Sequence, residues 1–265
     1  MIAEAPGCGM KGFFGYDTGH DLATSQPHLK LGFDLNRRHF IATTAVALAV
    51  GSYTPALNAQ SKTAASVKPP VQHAAAAAPA RRTILVLGDS LSAEYGLRRG
   101  SGWVALLDKQ LAARSIAAEV VNASISGDTT SGGRSRLGPL LAQHKPTQVI
   151  IELGANDALR GLPLALTEDN LNQMTQAAQK AGAKVLLVGM QMPPNYGADY
   201  GSRFAGLFEK VARTNKVALV PFLLKGVADG PDAARLFQND GLHPTEEAHP
   251  AILANVWVEL RRLLK

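Results

Sequence analysis

Five short apolar runs, separated by segments of helical periodicity, constrain this chain more than any other feature. They read "TILVL" (83–87), "AEVVN" (118–122), "QVIIEL" (148–153), "KVLLVGM" (184–190) and "VALVP" (217–221). None alternates strictly between apolar and polar residues, so the set calls for strands covered on both faces, as in a parallel sheet. Helical spacing fills the gaps: "WVALLDKQLAAR" (103–114), "TTSGGRSRLGPLLAQH" (129–144), "TEDNLNQMTQAAQKAG" (167–182, with Gly182 at its end), about 199–215 and about 245–264. Strand–helix alternation of this kind predicts an α/β fold, a three-layer α/β/α sandwich around a five-stranded parallel sheet. Ligands of open parallel sheets sit at the carboxyl ends of the strands. Residues 88–92, 123–128, 154–158 and 191–196 all follow strands and are therefore expected at one rim.

The domain so defined is 81–265. Ahead of it, residues 1–59 contain "NRRHFIATTAVALAVGSYTPALNA", two arginines followed by a short, moderately apolar stretch and small residues. That stretch is too short to span a bilayer and has the layout of an export signal of the twin-arginine type with an extended n-region. Residues 60–80 are rich in Ala, Pro, Ser and Lys and are expected to form a tether. The expected location is the periplasm or the exterior of a bacterium. Cys8, the only cysteine, lies in the signal, so the exported chain is expected to carry no thiol and no disulfide framework.

Of 27 Lys and Arg and 21 Asp and Glu, four of each sign precede residue 60, so the net charge of +6 belongs to the rest. The cations there are scattered, without a run of five or more. Nucleic-acid binding is not expected. Neither a zinc-type "HExxH" nor either glycine-rich phosphate signature is present, so no metal or cofactor is expected. Without heptads or repeats, the chain is expected to be a monomer, with at most transient membrane-surface contact.

The rim segments carry nucleophile chemistry. Ser90 follows "VLGD", and a serine hydroxyl needs a base to become a nucleophile. His20, His28, His39 and His73 lie in the signal and tether, His144 ends a helix, and His249 sits inside the last helix as a structural residue. His243 remains, in "NDGLHPT". Asp240, three residues earlier across Gly241, can bend back to hold one imidazole tautomer. Pro244 is expected to start the last helix. For the oxyanion of acyl transfer, Gly127 in "SISGDT" and Asn156 in "GAND" can offer a backbone and a side-chain donor, joined by the N–H of Ser90. Asp89 and Asp157 are expected to brace turns. Leu159 and Leu162, opposite Met190, Met192 and Pro193, are expected to line an acyl pocket. Activity is expected to fall at acid pH as His243 protonates.

In this order the blocks "GDSLS" (88–92), "SISGDT" (124–129), "GAND" (154–157) and "DGLHP" (240–244) resemble the SGNH hydrolases, or GDSL esterases and lipases, across 81–265. "VVNASISGDTTSGG", "IIELGANDALRG" and "MPPNYG" are similar to the bacterial periplasmic lysophospholipase/thioesterase/arylesterase branch. The resemblance implies a flavodoxin-like fold, a triad of Ser90, His243 and Asp240, an oxyanion hole of Ser90, Gly127 and Asn156, and activity on acyl esters and thioesters. Gln191 and Met192 depart from that branch, which often carries Arg and Leu beside the acyl groove. An α/β-hydrolase, the nearest rival among esterases, is not expected: its elbow needs G-x-S-x-G, whereas the pentad from Gly88 ends in Ser92, and the serine follows the first strand, too early for that fold. Two alternatives stand beside the esterase: a non-catalytic envelope protein binding carbohydrate or acyl chains, and an acetylesterase acting on acetylated sugars.

Overall fold

The computed structural model describes residues 82–265. The segments read as an export signal (1–59) and a tether (60–80) lie outside the described residues. Five strands form one parallel sheet: β1 (Arg82–Gly88), β2 (Ala118–Asn122), β3 (Gln148–Glu152), β4 (Lys184–Val188) and β5 (Ala218–Val220), in the order β2-β1-β3-β4-β5. This is the sheet that the apolar runs predict. Ile84–Leu87 of β1 and Val149–Ile151 of β3 are wholly buried, because helices cover both faces of these central strands. The edge strand β2 keeps Glu119 and Asn122 exposed.

One face carries α1 (Trp103–Ala113) packed on α7 (His249–Leu263); the other carries α2 (Thr130–His144), α4 (Leu164–Lys180) and α5 (Ala198–Asn215). Trp103, Leu107 and Leu111 of α1 are at most 1% exposed, one stripe at the three-to-four-residue spacing of an amphipathic helix. Each such side chain contributes about 1.5–3 kcal/mol of burial. The helical glycine Gly133 has a packing reason: a Cβ there would run into Leu153 just beyond β3.

The starts of two helices differ from those expected. α4 begins at Leu164 rather than 167, because Pro163, with φ −59°, sets the chain for the first turn. Pro244 does not start the last helix. It pairs in an antiparallel bridge with Phe237, closed by Gln238 N–H to His243 O at 2.7 Å and Thr245 N–H to Leu236 O at 2.8 Å. The chain then makes a 3₁₀ turn, Glu246–Ala248, and α7 starts at His249 with Pro250 in its first turn. Two short helices, α3 (Ala155–Leu159) and α6 (Ala233–Leu236), span too few residues to show a period.

Candidate active site

β1 delivers the chain to Gly88 at the carboxyl edge of the sheet. There Asp89 starts a tight turn, its carbonyl accepting from the N–H groups of Ser92 and Ala93 and its carboxylate from Leu91 N–H at 3.0 Å. The turn lifts Ser90 out of the sheet, half-buried at the rim.

The 237–244 bridge presents the partner groups from the other end of the domain. Within its loop, Gly241 takes a φ of +66°, a value that favours glycine, and lets the chain double back. Asp240 Oδ1 accepts from Leu242 N–H at 2.9 Å and His243 N–H at 3.0 Å, while Oδ2 lies 2.7 Å from His243 Nδ1. These two backbone donors, the His243 N–H first, and then the imidazole lower the Asp240 carboxyl to about 2. With Nδ1–H donating to Asp240, His243 Nε2 is left as an acceptor. It lies 2.9 Å from Ser90 Oγ, across 153 residues of chain. The expected convergence of Ser90, His243 and Asp240 is met.

Asn156, in the first turn of α3, donates from Nδ2 to Asp89 Oδ2 at 3.0 Å. An amide nitrogen carries two hydrogens, so one is held and the other stays available. Gly127 takes a φ of +77°, and its carbonyl accepts from Arg160 Nη2 at 2.7 Å. The N–H groups of Ser90 and Gly127 meet no acceptor among the described residues. Asp157 braces, as expected: it accepts from the backbone N–H of Thr130 at 2.8 Å and from the Thr130 hydroxyl, fixing α3 to the start of α2. His249 is also structural. It is buried, its Nδ1 accepts Trp103 N–H at 2.9 Å, and burial lowers its pKa.

A cavity of about 910 Å³ opens beside these groups. Ser90, Asn156 and His243 line it, as do four of the expected pocket residues, Leu159, Met190, Met192 and Pro193. Leu162 does not. Its N–H is tied to Asp157 O at 2.9 Å in the turn that ends α3, which places it off the cavity wall. Gly127 is not on the lining either. The sequence reading missed Phe222, Leu224 and Phe237, which form wall from segments after β5. It also missed Tyr95, whose ring lies 4.3 Å from the His243 ring. Gln238 Nε2 joins the two loops, donating to Tyr95 O and Pro244 O at 3.0 Å each. Among the described residues no group of three or more His, Cys, Asp or Glu could hold a metal ion, and no helix is long and apolar enough to cross a membrane.

Asp89 is 1% exposed, and its carboxyl is raised to about 6. Burial is the main cause, opposed by the Leu91 N–H, His243 and the Asn156 amide. A folded-state value above the unfolded one means that the folded chain holds this proton more tightly. The stability Asp89 contributes is therefore full at acid pH and lost as the pH rises through about 6. In Asp89→Asn, melting temperature followed against pH is expected to fall less steeply than in the wild type between about 4 and about 6. An unchanged slope contradicts the assignment.

Comparison with known proteins identifies relatives. Residues 86–251 match the GDSL-like Lipase/Acylhydrolase family. Esterase TesA of Pseudomonas aeruginosa is 51% identical over 185 residues, 70% of this chain and 90% of that protein. Thioesterase 1/protease 1/lysophospholipase L1 of Escherichia coli is 42% identical over 175 residues, 66% of this chain and 81% of that protein. The crystal structure of the psychrotrophic esterase EstA from Pseudoalteromonas sp., inhibited by monoethylphosphonate, superposes with a TM-score of 0.65 at 40% identity, covering 69% of this chain and 98% of that one. On this match over most of the described domain, the chain belongs to the GDSL-like lipase/acylhydrolase family.

Proposed function

We propose that this hydrolase cleaves carboxylic esters, and acyl thioesters with them, by nucleophilic catalysis through an acyl-enzyme on Ser90. His243 takes the Ser90 proton as Oγ attacks the acyl carbonyl, and Asp240 holds the imidazole and stabilises its charged form. The Ser90 and Gly127 N–H groups and the free amide hydrogen of Asn156 stabilise the oxyanion of the tetrahedral intermediate. His243 then protonates the leaving alcohol or thiol, and water attacks the acyl-enzyme by the same route in reverse.

The observation that carries this reading is the continuous line from Asp240 Oδ2 through the His243 ring to Ser90 Oγ, at 2.7 and 2.9 Å. A cavity of about 910 Å³ with methionine, leucine and phenylalanine walls suits a flexible apolar acyl chain. Relatives named esterase, thioesterase and lysophospholipase support the same class. Exposed Tyr95, Leu159 and Leu242 flank the site and favour brief contact with aggregated amphiphiles. The chain acts as a monomer in the bacterial envelope after export and removal of the N-terminal segment. Neither a carbohydrate-binding protein nor a sugar acetylesterase is favoured by any contact at the site.

The test is pre-steady-state turnover of p-nitrophenyl esters from acetate to laurate. A burst of p-nitrophenol equal to the enzyme, followed by slower steady release, is expected on at least one chain length. Complete lack of turnover across the series contradicts the proposal.

A further inference from the structure

The last residue of β3 is a glutamate at the end of a run of apolar residues, and it is wholly buried. Glu152 pairs in register with Gly88 of β1, directly beneath the corner that carries Ser90. Its Oε2 accepts from Ser92 Oγ at 2.7 Å and from Asp89 N–H at 3.4 Å. Its Oε1 is buried with no hydrogen-bond partner among the described residues. Ser92 is 1% exposed, and its carbonyl accepts from Asn122 Nδ2 at 2.8 Å. The glycine at 88 follows from this crowding: a Cβ there would lie 2.7 Å from Ser92 Oγ and 2.8 Å from Glu152 Oε2.

Glu152 touches none of the groups that would meet substrate, yet its two bonds end on the residues that place them. The Asp89 N–H and the Ser92 hydroxyl bracket Ser90 on both sides. Asp89 in turn holds Asn156 through Oδ2. An apolar residue at 152 would fill the same volume without burying a polar group, so packing alone does not explain a carboxyl there.

We propose that Glu152 is a positioning residue for the oxyanion site, fixing the Gly88–Ser92 corner through Ser92 Oγ and Asp89 N–H and, through Asp89, the amide of Asn156. The inference rests on Asn156 and Ser90 acting as proposed above. The surroundings of Glu152 favour its neutral acid form. Burial first, and then the Asp89 charge beside it, push its carboxyl well above the ordinary range. An ionised carboxylate with one oxygen unpartnered would carry the full cost of desolvation. The neutral form leaves Asp89 as the single negative charge of the pair and so the group that aligns Asn156.

The experiment measures kcat per active site, titrated with an organophosphonate, for Glu152→Ala, Ser92→Ala and Glu152→Gln. A loosened corner is expected to lower kcat of Glu152→Ala and Ser92→Ala by about 10- to 100-fold with KM within about twofold, since small displacements of reacting groups cost this much. Ser92→Ala removes only a hydroxyl and carries the comparison if Glu152→Ala does not fold. Glu152→Gln, equal in shape to the neutral acid, is expected to restore kcat to within about threefold. In an Asn156→Ala background, the additional loss from Glu152→Ala or Ser92→Ala is expected to be smaller than in the wild type, because one of the two groups being positioned is gone and only Ser90 is left to be displaced.

A purely structural role would lower the melting temperature and the titratable fraction while leaving kcat per site alone. That result overturns the proposal. Fully additive losses in the Asn156→Ala background, or a Glu152→Gln enzyme as impaired as Glu152→Ala, overturn it too. If Asn156→Ala itself leaves kcat unchanged, the oxyanion reading fails first; if Asn156→Ala costs as expected and the Glu152 and Ser92 variants do not, only the positioning role fails.

Discussion

Ser90→Ala is expected to lower kcat by at least about 10⁴-fold, since removing a serine nucleophile disables the whole unit of nucleophile, base and orienting acid. The fold is expected to tolerate it. Among the described residues Ser90 Oγ reaches only His243 Nε2, and that ring edge lies beside an open cavity where water can replace the hydroxyl. The far-ultraviolet circular dichroism spectrum and the melting temperature should match the wild type. A residual rate above the uncatalysed reaction is still expected, from binding and the oxyanion donors. Turnover near the wild-type rate would remove Ser90 from the mechanism.

Asn156→Ala carries the second largest effect, a loss of about 10²- to 10³-fold in kcat, or about 2.7–4 kcal/mol, as for a single oxyanion donor in a serine protease. KM should change little, because this donor gains strength only as charge develops on the substrate oxygen. The substitution has a second consequence. The Asn156 amide is one of the bonds that lower the Asp89 carboxyl, so its removal should move that carboxyl above about 6. Stability should then decline with rising pH over a range extended upward relative to the wild type. Steady-state kinetics and pH-dependent melting on one preparation check both effects; an unchanged kcat contradicts the assignment of Asn156.

The sheet was legible because its central strands are buried on both faces and carry short, largely apolar runs. The candidate site was legible because each block follows a strand or precedes the last helix, so the topology gathers them at one rim. Pro244 was misplaced because proline opens helices and closes bridges equally well, and only the pairing with Phe237 decides between them. Leu159 is the last residue of α3 and Leu162 lies in the turn after it; which of them faces the cavity depends on where α3 ends. Tyr95 and Gln238 act through a contact between loops 143 residues apart, which no local pattern encodes. Nothing local to "QVIIEL" marks Glu152 as packed under the Ser90 corner; the register sets it beside Gly88, which has no Cβ to meet its carboxyl.

The convergence of Ser90 and His243 is tested most directly by treating the protein with an organophosphonate and mapping the modified peptide by mass spectrometry while following ester turnover. The expected result is one adduct per chain, on Ser90, with occupancy rising in step with the loss of activity. An adduct on another serine, or Ser90 fully modified while turnover continues, would contradict the mechanism.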